Sequence, residues 1–146
     1  ILINSVVYFA VAQSARFTVN EDGTITDTAT NLIWQQEPQS IMMNWYQAVN
    51  YAKNLDLGGY NNWRLPTKRE LKILANASIG NKKYYNKRYK WLNKSGFKNI
   101  KDFYYWSSTT DHTDPYRAWL VDMEYGHEFN SGKGPACYVI AVCSGG

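Results

Sequence analysis

Cysteine is scarce, with only Cys137 and Cys143 in 146 residues, so a disulfide-dense scaffold is excluded. Both fall in the run ACYVIAVC. If that run is extended, six steps of ~3.3 Å hold the two Cα atoms about 20 Å apart, beyond disulfide reach. The spacing also puts both thiols on one face, and each is expected as a small buried apolar residue. Histidine is equally sparse, at His112 and His127, and no CxxC or HxxxH spacing gathers zinc ligands, so no metal is expected. The 4 Pro and 10 Gly follow no period, which excludes collagen and repeat arrays. Charged residues make up 19% of the chain against 45% apolar, the opposite of a disordered composition. Ten of the first twelve residues are apolar, but a bilayer-spanning helix needs about 20, so no membrane span is expected.

What is abundant is aromatic surface. There are 12 Tyr, 6 Trp and 5 Phe, and Tyr and Trp can bury a ring while keeping a polar tip at a surface. Charge is segregated too. From Lys72 to Lys101 there are nine basic residues and no acid, whereas the rest of the chain holds seven basic and all twelve acidic residues. Such a field can steer a polyanion even though the net charge is only +4. At roughly 100–200 residues per domain the length fits one domain.

Residues 1–15 carry no charge. Their length and the small-x-small run Ala10-Val11-Ala12 match a secretory leader remnant, which implies a secreted, periplasmic or cell-surface protein. The competing reading is a β-rich arm, residues 1–12, that pairs with a neighbouring chain.

Residues 16–146 read as one α+β domain. Residues 16–20 and 24–27 flank Asp22-Gly23, a dipeptide suited to a type I′ hairpin turn, and a strand over 32–36 follows. Asn44 caps a helix whose Trp45, Ala48, Val49, Ala52 and Leu55 share one face, with Gly58-Gly59 as its stop. Thr67-Lys68-Arg69-Glu70 is a capping box opening a second helix, with Leu71, Leu74 and Ala75 inward. Residues 76–102 lack a clear period and read as a partly helical basic insertion rather than regular core. Strands are then expected over 103–109, 118–123, 125–130 and 138–142, an antiparallel meander with turns at Asp-Pro, Tyr-Gly and Gly-Lys-Gly-Pro.

Catalytic signatures are missing. There is no GxSxG elbow, glycine-rich phosphate cradle, HExxH or paired-carboxylate pattern, and no cofactor is expected. EDGTITD superficially fits a calcium loop, but aligning Gly23 with the sixth position puts Thr18 and Ala29 where carboxylates are required. A thiol oxidoreductase role for the two cysteines lacks a basic or metal neighbour to activate them. The expectation is a non-catalytic protein.

The segments RFTVNEDGTITDTATNLIWQQ, WYQAVNYAKNLDLGGYNNWRLPT, KREL, YWSSTT, AWLVDMEYGHEFN and YVIAVCSGG resemble, in that order, the Lcl C-terminal domain family. The resemblance covers residues 16–146. It implies a secreted or surface module with a C-type-lectin-like fold, related in architecture to the formylglycine-generating enzymes. The family is best known from the C-terminal domain of a bacterial collagen-like adhesin that binds sulfated glycosaminoglycans. Similar domains place ligand contacts on their C-terminal strands. Where such relatives often carry a helix cysteine this chain has Ala52, which leaves Cys143 without an obvious partner within the chain. The EPN and WND triplets of calcium-dependent lectins are absent.

Two binding surfaces follow from the residues. The first is the insertion, where Lys82, Lys83, Lys87, Arg88, Lys90, Lys94, Lys98 and Lys101 alternate with Tyr84, Tyr85, Tyr89 and Trp91. Ammonium groups attract sulfates or phosphates, and the rings can stack on sugar faces. Anionic glycans are the expected partner, with nucleic acid not expected of a secreted protein. The plain alternative is a solvated charged face whose aromatics anchor it to the core. The second surface comprises Asp111, His112, Asp114, Tyr116, Arg117, Glu124, Tyr125, His127 and Glu128, suited to a neutral ligand, a protein partner or self-assembly. Trp106 and Trp119 are expected in the core.

Overall fold

The computed structural model of the protein describes residues 15–145. The leader or pairing arm expected over residues 1–15 lies, apart from Ala15, outside the described residues. The chain is α+β, with three α-helices and two antiparallel sheets. In the first sheet β1 (Phe17–Val19), β2 (Thr24–Asp27), β3 (Leu32–Gln35) and β7 (Val142–Cys143) are neighbours in that order. The second contains β4 (Tyr104–Asp111), β5 (Asp114–Asp122) and β6 (Glu128–Gly132).

Both expected helices are capped as their sequences dictate. In α1 (Trp45–Lys53) the Asn44 side chain accepts from Gln47 N–H at 2.9 Å, and the Gln47 side chain accepts from Asn44 N–H at 3.0 Å. In α2 (Lys68–Ala75) Thr67 and Glu70 make the same reciprocal pair. α1 nevertheless stops before Leu55. Asn54 donates back to the Asn50 carbonyl at 2.8 Å, and Gly58-Gly59 instead form a separate tight turn closed by a bridge between Leu57 and Tyr60.

The first hairpin is real but its turn differs from expectation. Positive φ falls on Glu21 (61°) and Gly23 (85°), not on consecutive Asp22 and Gly23, so the turn is not type I′. Asp22 drives this: its carboxylate accepts both the N–H and the hydroxyl of Thr24, at 3.0 and 2.6 Å.

The meander is also shifted. β5 begins at Asp114, so Asp-Pro lies inside a strand, and the turn falls one step earlier, where Asp111 accepts from the Thr113 N–H and hydroxyl. The pairing of β4 with β5 is irregular between Trp106 and Asp111, so the missing N–H of Pro115 disturbs no ladder bond. β6 starts at Glu128 rather than 125 because Asp122 holds the Glu124 and Tyr125 N–H groups in a turn. The expected strand over 138–142 is a chain of partial pairings. Cys137 bridges Met43, Tyr138 bridges Tyr105, and Val142 bridges Arg64 and pairs with Trp34.

That last segment separates two cores. Alternation sends Ile140 and Val142 to one side with Ile25, Trp34, Leu71, Leu74, Tyr105 and Val121. Val139, Ala141 and Cys143 face the other, with Ile33, Ala48, Ala52, Trp63, Trp106 and Leu120. Thus α1 packs on one core and α2 on the other. The insertion contributes to the α2 side: α3 (Arg88–Lys94) and the residues after it bury Leu92, Phe97 and Ile100. The expectation that it lies outside the core is corrected. Its apolar residues are too widely spaced to show a period, yet they complete the core.

No helix among the described residues is long and apolar enough to cross a membrane.

Candidate functional site

The insertion is built from short turns tied to the domain at both ends. A 3-10 turn, Asn76–Ser78, continues α2, and a second, Lys82–Tyr84, is capped by Asn81 Oδ1 accepting from Lys83 N–H at 3.3 Å. α3 then docks on the turn between β5 and β6. Arg88 N–H donates to the Glu124 carbonyl at 3.2 Å and Tyr89 N–H to the Met123 carbonyl at 2.7 Å. Gly126 allows the contact. Its φ is +75°, and a Cβ there would stand 2.5 Å from Arg88 Nη1.

This anchoring sorts the expected ligand residues. Lys82, Lys83, Lys87, Lys90, Lys94 and Lys98 are exposed, as is Tyr85. Tyr84 and Arg88 are turned inward, each 8% exposed, and leave the open surface. Lys87, Lys90 and Lys94 lie three and four residues apart, hence on one stripe of α3. Lys83 and Lys94 both approach the Tyr84 ring, at 5.5 and 5.9 Å from its centroid. Two lysines point to other places. Lys98 lines a groove of about 450 Å³ with Glu21, Glu37, Gln35 and Gln36, and Lys101 is half-buried with its ammonium on Asn99 Oδ1 at 3.2 Å.

The electrostatics of α3 run against its own stability. Its first turn holds no acid, and Lys87 and Arg88 sit at the end where the helix dipole favours negative charge. Lys90 and Lys94 are like charges at i, i+4. Among the described residues none of the six exposed lysines has a carboxylate within 4.0 Å, whereas Lys68 and Lys72 of α2 reach Glu128 at 3.7 and 4.0 Å.

The second surface is divided by the nine-residue β5, roughly 30 Å of strand at ~3.3 Å per residue. At one end stand Asp111, His112, Asp114, Tyr116 and Arg117. Asp111 is buried and accepts from the Asn130 amide, while Arg117 donates to the Asn130 side chain and to its carbonyl, the latter at 2.7 Å. Bonds from the Thr113 N–H and hydroxyl hold the Asp111 carboxyl below its ordinary range. At the other end stand Glu124, Tyr125, His127 and Glu128, with the Tyr125 and His127 rings stacked at 5.8 Å. This acidic turn is the one on which the basic insertion docks.

Trp106 is fully buried, as expected. Trp119 is only half-buried and not in the core, because alternation along β5 turns it to the face opposite Ala118 and Leu120, where Lys68 Nζ covers its ring at 3.9 Å. Cys137 and Cys143 are both buried and unbridged. Burial alone pushes the Cys137 thiol up to about 11 and also raises Cys143, although Arg64 pulls the latter the other way. Among the described residues no three His, Cys, Asp or Glu side chains gather as a metal site. Sequence reasoning missed the small uncharged residues at the start of the insertion, above all Ser78 and Asn81, since nothing in their spacing signals a cavity.

A family model described as the Lcl C-terminal domain matches residues 23–143, a span that contains every described element except β1. No curated protein matches the chain.

Proposed function

The chain belongs to the Lcl C-terminal domain family, and on that premise we propose that it is an exported, non-catalytic binding module of C-type-lectin-like architecture. Its ligand is an anionic, sulfated glycan held by the basic insertion, and its place is the cell surface, the periplasm or the medium. One observation carries this reading: the exposed Lys82, Lys83, Lys87, Lys90 and Lys94 lack a carboxylate partner among the described residues, and the last three put like charges along and at the start of α3. A polyanion relieves that repulsion. Tyr85, 69% exposed within the same segment, offers a ring for a sugar face. The raised thiol of Cys137 supports a non-catalytic role over a thiol oxidoreductase, because the thiolate is the reactive form.

Retention on immobilised heparin across a salt gradient tests the reading. The comparison is with a chain carrying Lys82→Ser, Lys83→Ser, Lys87→Ser and Lys90→Ser, with Arg88 left in place because it is buried. Native retention with early elution of the folded variant is the expected result. Equal elution of both at low salt would show a solvated face.

A second reading, a protein-binding or self-assembling surface, is favoured by one feature. Phe103, Tyr104, Phe129 and Tyr138 form a continuous chain of ring contacts, with Phe103 and Phe129 45% and 53% exposed. A concentration-dependent mass in solution, lost on Phe129→Ser, would support it.

A further inference from the structure

Three arginines show how this protein neutralises guanidinium groups. Arg16 makes a two-point contact with Asp27 at 2.8 and 2.7 Å, and Arg64 a two-point contact with Glu70 at 2.8 and 2.8 Å. Arg88 is more deeply buried than either, yet no carboxylate lies within 4.0 Å of it among the described residues. A guanidinium cannot shed its charge in a protein, so burial without a counter-charge is unfavourable. Its neighbours are neutral. Nη1 donates to the Ala75 carbonyl at 3.3 Å and to Asn76 Oδ1, Nε donates to the Tyr85 carbonyl at 3.4 Å, and the Tyr85 ring lies 5.7 Å from Cζ. Nη2 has no hydrogen-bond acceptor among the described residues.

Arg88 and Ser78 form the floor of an open cavity of about 130 Å³ whose rim is Ile79, Gly80, Asn81, Lys82 and Tyr85, all exposed. That is room for several waters or for one tetrahedral oxyanion. The lining offers donors. Ser78 is 5% exposed and its hydroxyl has no hydrogen-bond partner among the described residues. Asn81 commits Oδ1 to Lys83 N–H, which leaves its amide N–H groups uncommitted, and Lys82 adds an ammonium. No carboxylate lines the cavity.

We propose that this cavity seats a single tetrahedral oxyanion, the sulfate or phosphate monoester group of a sugar, with Arg88 as its buried counter-charge. The proposal rests on the reading of the insertion as an anionic-glycan site and adds a fixed point of contact to it. Exposed lysines hold any polyanion through a screened field, whereas a buried guanidinium beside neutral donors adds one charge-assisted, hydrogen-bonded contact at a fixed point.

The test uses the full chain and isothermal titration with sodium sulfate and sodium phosphate, chloride balancing the ionic strength. Glucose 6-sulfate and glucose 6-phosphate distinguish the two sources of the group. Ser78→Asp places a carboxylate in the cavity, and Ser78→Asn is its neutral control. Lys82→Glu, at an exposed position, gives a second variant if Ser78→Asp fails to fold. Sulfate or phosphate is expected to bind the native chain saturably, with binding at least about tenfold weaker in Ser78→Asp than in Ser78→Asn. In the absence of anion Ser78→Asp should melt higher than Ser78→Asn, since Arg88 gains the partner it lacks.

Lys82→Glu should weaken sulfate binding in a normally folded chain. No saturable binding to the native chain, or equal binding by the Asp and Asn variants, overturns the proposal; if Ser78→Asp does not fold, undiminished binding by Lys82→Glu does so. Heparin retention without sulfate or phosphate binding would overturn the cavity and leave the lysine stripe standing. Sulfate binding in a chain that heparin does not retain would do the reverse.

Discussion

At the scale of single residues, the ion pairs set how the protein responds to acid. Burial acts to raise the Asp27 carboxyl, but the Arg16 guanidinium and the Ala29 N–H outweigh it and hold the carboxyl below its ordinary range. Glu70 is the same case, with burial opposed by Arg64 and by the Thr67 N–H. A carboxyl lowered on folding adds stability that is complete above its unfolded value, about 3.9 for Asp and 4.3 for Glu. That stability is lost as pH falls through the folded value. Denaturant midpoints should therefore be level near neutrality and fall below about pH 4, with Arg16→Gln removing part of the slope.

Lys133 makes a different prediction. It is 8% exposed, donates to Thr110 Oγ1 at 2.9 Å and to the Pro115 carbonyl at 2.8 Å, and lies 4.0 Å above the Trp45 ring. Lys133→Met keeps much of the volume but strands those acceptors. It should cost about 1–3 kcal/mol in equilibrium unfolding and shift Trp45 fluorescence.

At the scale of elements, what was legible in the sequence depended on range. Both capping boxes could be read because Asn44 with Gln47, and Thr67 with Glu70, act within one helical turn. The insertion reads as partly helical, but the position of its helix does not show because Lys87 caps it with no side-chain bond and its seven residues are too few to show a period. Strand positions in the meander differ from expectation because Asp114-Pro115 reads as a turn, while a bond between Asp111 and Thr113 decides where the chain reverses. Of the candidate site, the lysine stripe was visible as composition. Which cation turns inward was not, since Arg88 is buried by Gly126, 38 residues away in sequence.

Two expectations belong to this scale. Thr67→Ala should lower stability by about 1 kcal/mol through loss of the cap. Gly126→Ala strains a left-handed backbone position and collides with Arg88, so it should cost about 1–3 kcal/mol. Its distinguishing readout is hydrogen exchange, which should accelerate over residues 82–94 before the rest of the domain.

At the scale of the whole molecule, charge is divided between an acid-poor insertion and an acidic remainder, and the two meet at the turn between β5 and β6. Their attraction across that junction and the repulsion within α3 respond to salt in opposite directions. Added salt should weaken heparin retention throughout. In the free protein, salt from low to moderate concentration should relieve repulsion among the lysines, so thermal unfolding followed at residues 82–94 should move upward. The quadruple lysine variant should lack that rise.

The segment from Cys137 to Cys143 touches α1's entry through Met43, the second sheet through Tyr105, the loop before α2 through Arg64, and the first sheet through Trp34. On a ribosome every one of those partners is made before it. A nascent chain that has reached Gly132 has all of β1 to β6 and the three helices but no seam between its sheets. Trp34, Trp106 and the faces around them then stay open to water or to a chaperone. Folding of this domain is therefore gated by the emergence of its final strand.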